Sequence, residues 1–390
     1  MGDGPMTSKE RVHAALEGRP VDRFPVAAPY CPLNFDDHFA EATGEPDWRW
    51  HAWVNAPDDE AYLRCFRRCV EAMPFEMLQP HAWSQPREWR RRQEYLLHDG
   101  RPCRHDRQTD EWQPLPVPNR SIHRHEYTVV ERRTVFDRAD ADAQMTTAPA
   151  EAAIAEGRLD FVRAVVAEYG RTEFVLSGGM DGCFWACQPY VGPMGLLTMA
   201  IEEPRLLDYM VAKALEQRVE SVRFLAAAGG DGIYVDDAFA TSEMISLKHY
   251  ERFCVPATRA LVEEIHRHGH KAILIYYGGV MDRLEQIASL GADGLVVEAS
   301  MKGYHNDIEA IVDAVGDRLT LFANIHPVEV IQGASDEMLR AEVARQATAG
   351  RRARGFILGP AHPITPGTGI SRIQAFISTC RELGRSASQT

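Results

Sequence analysis

The sequence has no apolar run approaching the ~20 residues that cross a bilayer, and its start, MGDGPMTSKERV, has no apolar signal region. Neither a membrane span nor an export signal is therefore expected. It has no excess of positive charge either. Its 43 Lys and Arg stand against 56 Asp and Glu, a formal net charge of -13. The clusters Arg90–Arg92 and Arg351–Arg354 are short and read as solvated surface, so nucleic acid is not the expected partner. Cysteines are few, eight in 390 residues, with no tight framework. Cys65 and Cys69 are four apart, as are Cys183 and Cys187, but no matching second pair completes a zinc motif. Buried, reduced thiols in a cytoplasmic protein are the expectation.

What is present is ordinary globular composition, 45% hydrophobic and 25% charged. Thr7 and Glu10 make a capping box for a first helix that runs to Leu16, with Gly18 as its stop. Eight short apolar runs follow: Phe24–Ala28, Phe75–Leu78, Phe174–Ser177, Gly232–Val235, Ala272–Tyr276, Gly294–Val297, Thr320–Ala323 and Gly355–Leu358. From the third onward each gap holds a helical pattern, as in Leu206–Ala227 with Leu206, Met210, Ala214 and Val222 on one face. Eight alternating units predict parallel pairing with right-handed crossovers, and hence an α/β fold of the (β/α)8 TIM-barrel type over 1–390. The stretch 80–148, after the second strand, is too long for an ordinary barrel loop and predicts an inserted cap, lid or dimer contact with irregular strands. Within it His123 and His125 would share one face of a strand, with no third ligand in view.

One phrase occurs twice. AGGDGIYVDDAF, Ala228 to Phe239, is answered by LGADGLVVEAS, Leu290 to Ser300. The Gly-x-Asp-Gly half lies where a helix enters the next strand, at the bottom of such a barrel, so Asp231 and Asp293 read as structural turn residues. The acidic half lies at the strand ends that carry the active site in this fold. Strand side chains alternate faces. With Ile233, Val235, Leu295 and Val297 turned outward, Tyr234, Asp236, Val296 and Glu298 turn inward. Both strands are even in barrel order, which puts Asp236 and Glu298 at one level.

The opening TSKERVHAALEGRPVDRFPV resembles the N-terminus of the uroporphyrinogen decarboxylase superfamily. So do GGDGIYVDDAFATSEMISLKHYERFCVPATRALVEEIHRHG, RLTLFANIHPVEVIQGASDEMLRAEV and GFILGPAHPITPGTGISRIQAFI, the resemblance covering about residues 7 to 385. It implies a (β/α)8 barrel, often dimeric, in branches that decarboxylate a tetrapyrrole or move methyl groups between cobamides and thiols. The decarboxylase's second-strand acid matches Glu76, its serine after strand four falls on Asp237, and its C-terminal His matches His362. Its arginine-rich first loop is absent: PVAAPYCPLNFDDHF carries Asp36 and Asp37 and no Arg, a poor match to a polycarboxylated substrate. The thiol-directed branch binds zinc through His-x-Cys and a last Cys. Those positions hold Ile275, Tyr277 and His362, so that zinc site is not expected.

The predicted mouth thus offers Asp236, Asp237, Glu298 and His362 for catalysis, with Tyr276, Tyr277, His326, Asn324, Asp181 and Glu76 around a substrate. Two mechanisms fit these types. Asp236, Glu298 and His362 could hold a divalent metal such as zinc. Alternatively, paired acids could share a proton, one acting as acid and one as base beside His362. The expected function is methyl transfer from a small methylated substrate, neutral or cationic. The sequence carries no Asp-x-His-x-x-Gly motif, so any corrinoid would come on a partner protein. A decarboxylase or other lyase of a small acid, and a metabolite-binding barrel without turnover, are the alternatives.

Overall fold

The computed structural model describes residues 5–28, 30–116 and 133–385. His123 and His125 lie outside the described residues. Ten strands are described: β1 Met77–Leu78, β2 Gln93–His98, β3 Arg101–Asp106, β4 Glu111–Pro114, β5 Phe174–Asp181, β6 Gly232–Asp236, β7 Lys271–Tyr276, β8 Gly294–Val297, β9 Thr320–Phe322 and β10 Phe356–Ile357. Seven of them form one parallel sheet in the order β1-β5-β6-β7-β8-β9-β10. The remaining expected strand, Phe24–Ala28, closes the ring. Val26 bridges Leu358 in parallel, Ala27 N donates to Leu358 O at 2.9 Å, and Glu76 N donates to Val26 O at 2.8 Å. It is reduced to a bridge because Pro25 has no N–H to give a ladder. All eight sequence runs are therefore staves of one α/β barrel.

Alternation sorts the apolar residues into two layers. Phe174, Leu176, Ile273, Ile275, Val296 and Phe322 fill the barrel. Ile233, Val235, Leu274, Leu295 and Val297 face the surrounding helices. The first helix, Ser8–Leu16, carries both reciprocal bonds of the capping box and plugs the lower end with Val12, Ala15 and Leu16. Gly355 is obligatory there, because a Cβ would stand 2.1 Å from Ala15 O.

The repeated Gly-x-Asp-Gly has a structural role. Asp231 N donates to Val175 O at 2.7 Å and its Oδ2 accepts from Val175 N at 2.9 Å. Asp293 N donates to Ala272 O at 2.9 Å and its Oδ2 accepts from Ala272 N at 2.8 Å. Each aspartate clamps its own strand entry to the preceding strand.

The stretch after β1 builds an antiparallel meander, β2-β3-β4. It leans on the Trp50–Val54 helix region, where Arg49 Nη1 donates to Tyr95 O at 3.2 Å. Arg90 corrects the surface reading of its cluster. Its side chain is fully buried, donates to Asp160 Oδ2 at 2.7 Å and Ala56 O at 3.0 Å, and lies 4.3 Å from the Phe161 ring. A buried guanidinium needs this carboxylate and these carbonyls to offset its desolvation. Among the described residues no helix is long and apolar enough to cross a membrane.

Candidate active site

The sequence places a carboxylate at the end of β6, and the barrel buries it. Asp236 is 7% exposed. Its Oδ2 accepts from the Tyr30 hydroxyl at 2.7 Å, while its Oδ1 is buried with no hydrogen-bond partner. Burial lifts this carboxyl well above the ordinary carboxylate range. The Tyr30 bond pulls it down, and the charges of Asp181 and Asp237 push it up again. Burial thus favours the protonated form of Asp236.

Tyr30 reaches Asp236 from a strained backbone. It sits at φ 60°, ψ 43° as the residue before the Cys31–Asp37 helix, a left-handed conformation costly for a bulky side chain. The strain aims the ring inward, stacked on Tyr277 at 5.4 Å and edge-on to Tyr234 at 5.5 Å. Tyr234 in turn lies across β5, where only glycine fits: a Cβ on Gly179 would come within 2.1 Å of the Tyr234 ring. Tyr234 and Tyr277 keep part of their surface open, whereas Tyr30 is buried.

Asp181 pairs in register with Asp236 across β5 and β6 and so faces the same side. Its side chain is half open to solvent and 3.5 Å from Arg218 Nη2. The enclosing walls raise its carboxyl and Arg218 lowers it. Strand register runs from Asp236 to Ile275 and on to Val296. In a barrel staggered by about one residue per strand, Glu298 rather than Val296 reaches the height of Asp236. Glu298 Oε2 accepts a hydrogen bond from the Tyr304 hydroxyl. Asn324 braces this loop, its Nδ2 donating to Asn306 O at 2.9 Å and Glu298 O at 3.4 Å.

After β9 and β10 come two histidines. His326 Nδ1 accepts from Val328 N and Glu329 N, both at 3.2 Å, and so caps the Pro327–Gln332 segment. With Nδ1 accepting, the proton lies on Nε2. His362 is buried and meets His326 edge to face at 5.7 Å.

Three residues expected at the mouth are elsewhere. Tyr276 follows Ile275 and therefore faces outward. It bonds the Tyr250 hydroxyl at 2.7 Å in the helix layer. Asp237 follows Asp236 and is turned to that same outer chamber by the same alternation. Both its oxygens are buried without a hydrogen-bond partner. Burial and the Asp181 charge push its carboxyl up to about 8, with Arg283 opposing them. Gly182 makes room for it, since a Cβ there would stand 2.5 Å from Asp237 Oδ2. Glu76 lies at the lower end, not the mouth. Arg11 and Arg23 grip its carboxylate, and Val26 N donates to it at 2.9 Å.

Asp236, Glu298 and His362 do not assemble into a metal-ligand set. Among the described residues no group of three or more His, Cys, Asp or Glu side chains is arranged to hold an ion. Glu298 is instead bonded by the Tyr304 hydroxyl, and the His362 ring packs against that of His326.

Two residues at the mouth escape sequence reasoning. Tyr30 lies two positions past the first apolar run, with only its aromatic type as a signal. Gln79 directly follows β1, is 5% exposed, donates through Nε2 to the Tyr234 hydroxyl at 3.4 Å, and leaves its buried Oε1 without a partner.

Comparison with known proteins agrees with this architecture. The whole fold superposes on a methyltransferase from Methanosarcina mazei with a TM-score of 0.67 at 18% identity, covering 97% of this chain and 99% of that one. At that identity the likeness is one of fold alone. The uroporphyrinogen decarboxylase of Pseudomonas paraeruginosa is 25% identical over 238 residues, 58% of this chain and 63% of that protein. That of Saccharophagus degradans is 26% identical over 216 residues, 53% and 58%. The chain thus spans less than two thirds of the length of the curated relatives it matches. The model of the family described as uroporphyrinogen decarboxylase (URO-D) matches residues 121–383, and this chain belongs to that family.

Proposed function

We propose that this family member transfers a methyl group from an oxygen or nitrogen of a small substrate to an acceptor nucleophile carried by a partner protein. The observation that carries the reading is Asp236, a buried acid whose Oδ1 has no hydrogen-bond partner and whose protonated form burial favours. When a methyl group leaves a heteroatom for a nucleophile, the C–heteroatom pair of electrons stays behind on the heteroatom. That group leaves far more readily if it takes up a proton, and Asp236 has one to give. The Tyr30 hydroxyl then steadies the carboxylate that remains. Glu298, held by Tyr304, and His326, with its proton on Nε2, stand at the rim to orient the substrate. A corrinoid on a partner protein supplies the class of nucleophile the reading calls for.

The test is incubation with a panel of O- and N-methyl donors and a reduced corrinoid protein, followed by the absorbance change that marks cobalt methylation. Methylation that falls at least about a hundredfold in Asp236→Asn is expected, the scale of a general-acid contribution. No spectral change with any donor overturns the reading.

Decarboxylation is the second reading, favoured by the relatives that carry that name. Asp236 would then protonate the carbanion left by departing CO2. Carbon dioxide release from small organic acids, with no corrinoid present, separates the two.

A further inference from the structure

Two unspent groups face the tyrosine-lined mouth from different staves, and they define what a ligand must bring. Asp236 has Oδ1 without a partner, and burial favours the protonated form of its carboxyl. Gln79 has Oε1 without a partner, and only a hydrogen-bond donor can satisfy a carbonyl oxygen. Both side chains are more than nine-tenths buried. A buried acceptor left unpaired costs about 1–3 kcal/mol, so a ligand that seals the mouth without supplying a donor leaves that cost in place. Tyr30 bonds Asp236 and packs on Tyr234 and Tyr277, Tyr234 meets Gln79, and Tyr234 and Tyr277, whose rings offer flat faces, keep part of their surface open. Among the described residues, the acids Asp181 and Glu298 face the space. The Arg218 guanidinium is turned to Asp181. An anionic ligand therefore meets the repulsion of these two acids.

We infer that the substrate is a neutral, planar molecule that carries a hydrogen-bond donor for Gln79 in addition to the methylated heteroatom aimed at Asp236, a methoxyphenol being the simplest example. This rests on the methyl-transfer reading of the same site, and it adds Gln79 as the residue that sets specificity. An aryl ring stacks on Tyr277 or Tyr234, the phenolic O–H donates to Gln79 Oε1, and the ether oxygen accepts from Asp236.

Binding to the whole protein tests it without any methyl acceptor. Isothermal titration would compare 2-, 3- and 4-methoxyphenol with the dimethoxybenzenes of the same substitution pattern, which lack the donor, and with 4-methoxybenzoate, which adds a negative charge. At least one methoxyphenol should bind about tenfold more tightly than its dimethoxy counterpart, one hydrogen bond's worth. The benzoate should bind more weakly than both. Gln79→Met keeps the length of the side chain and removes its amide, so it should erase the preference while both ligands still bind. The inference falls if no methoxyphenol is preferred, if the preference survives Gln79→Met, or if the benzoate binds best. A methoxyphenol that binds through Gln79 yet yields no methylated corrinoid would overturn methyl transfer and leave the ligand class standing. Methyl transfer from donors lacking any O–H or N–H, as fast as from methoxyphenols, would do the reverse.

Discussion

Asp237 should make this protein lose stability as pH rises through the neutral range, and its removal should abolish that loss. Both its oxygens are buried without a hydrogen-bond partner, and its carboxyl is pushed up to about 8. The groups that face it are the acids Asp181 and Asp236, the Arg283 cation, and the neutral Tyr250, Tyr276, Cys183, Cys187 and Cys254. In the unfolded chain an aspartate ionises near 3.9. Between those two values the folded state holds one proton more than the unfolded state, so stability falls with pH at about 1.4 kcal/mol per unit. From pH 5 to pH 8 the sum is about 4 kcal/mol, present at pH 5 and gone by pH 8. Asp237→Asn is nearly isosteric and carries no titrating proton. Urea unfolding of both proteins at pH 5, 6, 7 and 8 gives the comparison. Asp236 titrates in both and largely cancels. The variant should gain on the parent by about 4 kcal/mol across that range, whatever its offset at pH 5. Parallel stability curves would refute a buried, proton-holding Asp237.

Two more expectations concern the ends of the barrel. Tyr30→Phe removes the hydroxyl that favours the ionised form of Asp236, so the Asp236 carboxyl should titrate at still higher pH. Carbon-13 NMR of labelled aspartate carboxyls reads this directly, and an unchanged or lower titration point contradicts the assigned hydrogen bond. Glu76→Gln should cost about 3 kcal/mol or more in urea unfolding, because Arg11 and Arg23 lose a buried counter-charge. It should leave ligand binding at the mouth unchanged, and a large binding defect would place Glu76 in the site after all.

How far the sequence reaches is clearest at single residues. Period-two alternation along β6 and β8 separates Ile233, Val235, Leu295 and Val297 from Tyr234 and Val296 before any coordinates are known. The same rule, applied strictly, would have separated Tyr276 from Tyr277 and Asp237 from Asp236. Neighbours on a strand cannot both enter one pocket, and only their shared chemical type suggested that they did. Family position says that the second strand carries the acid Glu76, not which end of that strand its carboxylate reaches. A run of arginines looks solvated, yet Arg90 is buried. Its carboxylate partner, Asp160, lies 70 residues away in the chain.

The sequence by itself determined the eight apolar runs, their alternation with helices, the capped first helix, and the two aspartates that lock strand entries. These follow from local periodicity and turn chemistry, which act over a few residues. Tertiary structure alone decided the site. Tyr30 meets Asp236 across 206 positions, Gln79 meets Tyr234 across 155, and burial in a closed barrel raises the Asp236 carboxyl above its ordinary range. Burial and long-range contact set the chemistry of these groups, and neither is written in the identity of any one residue.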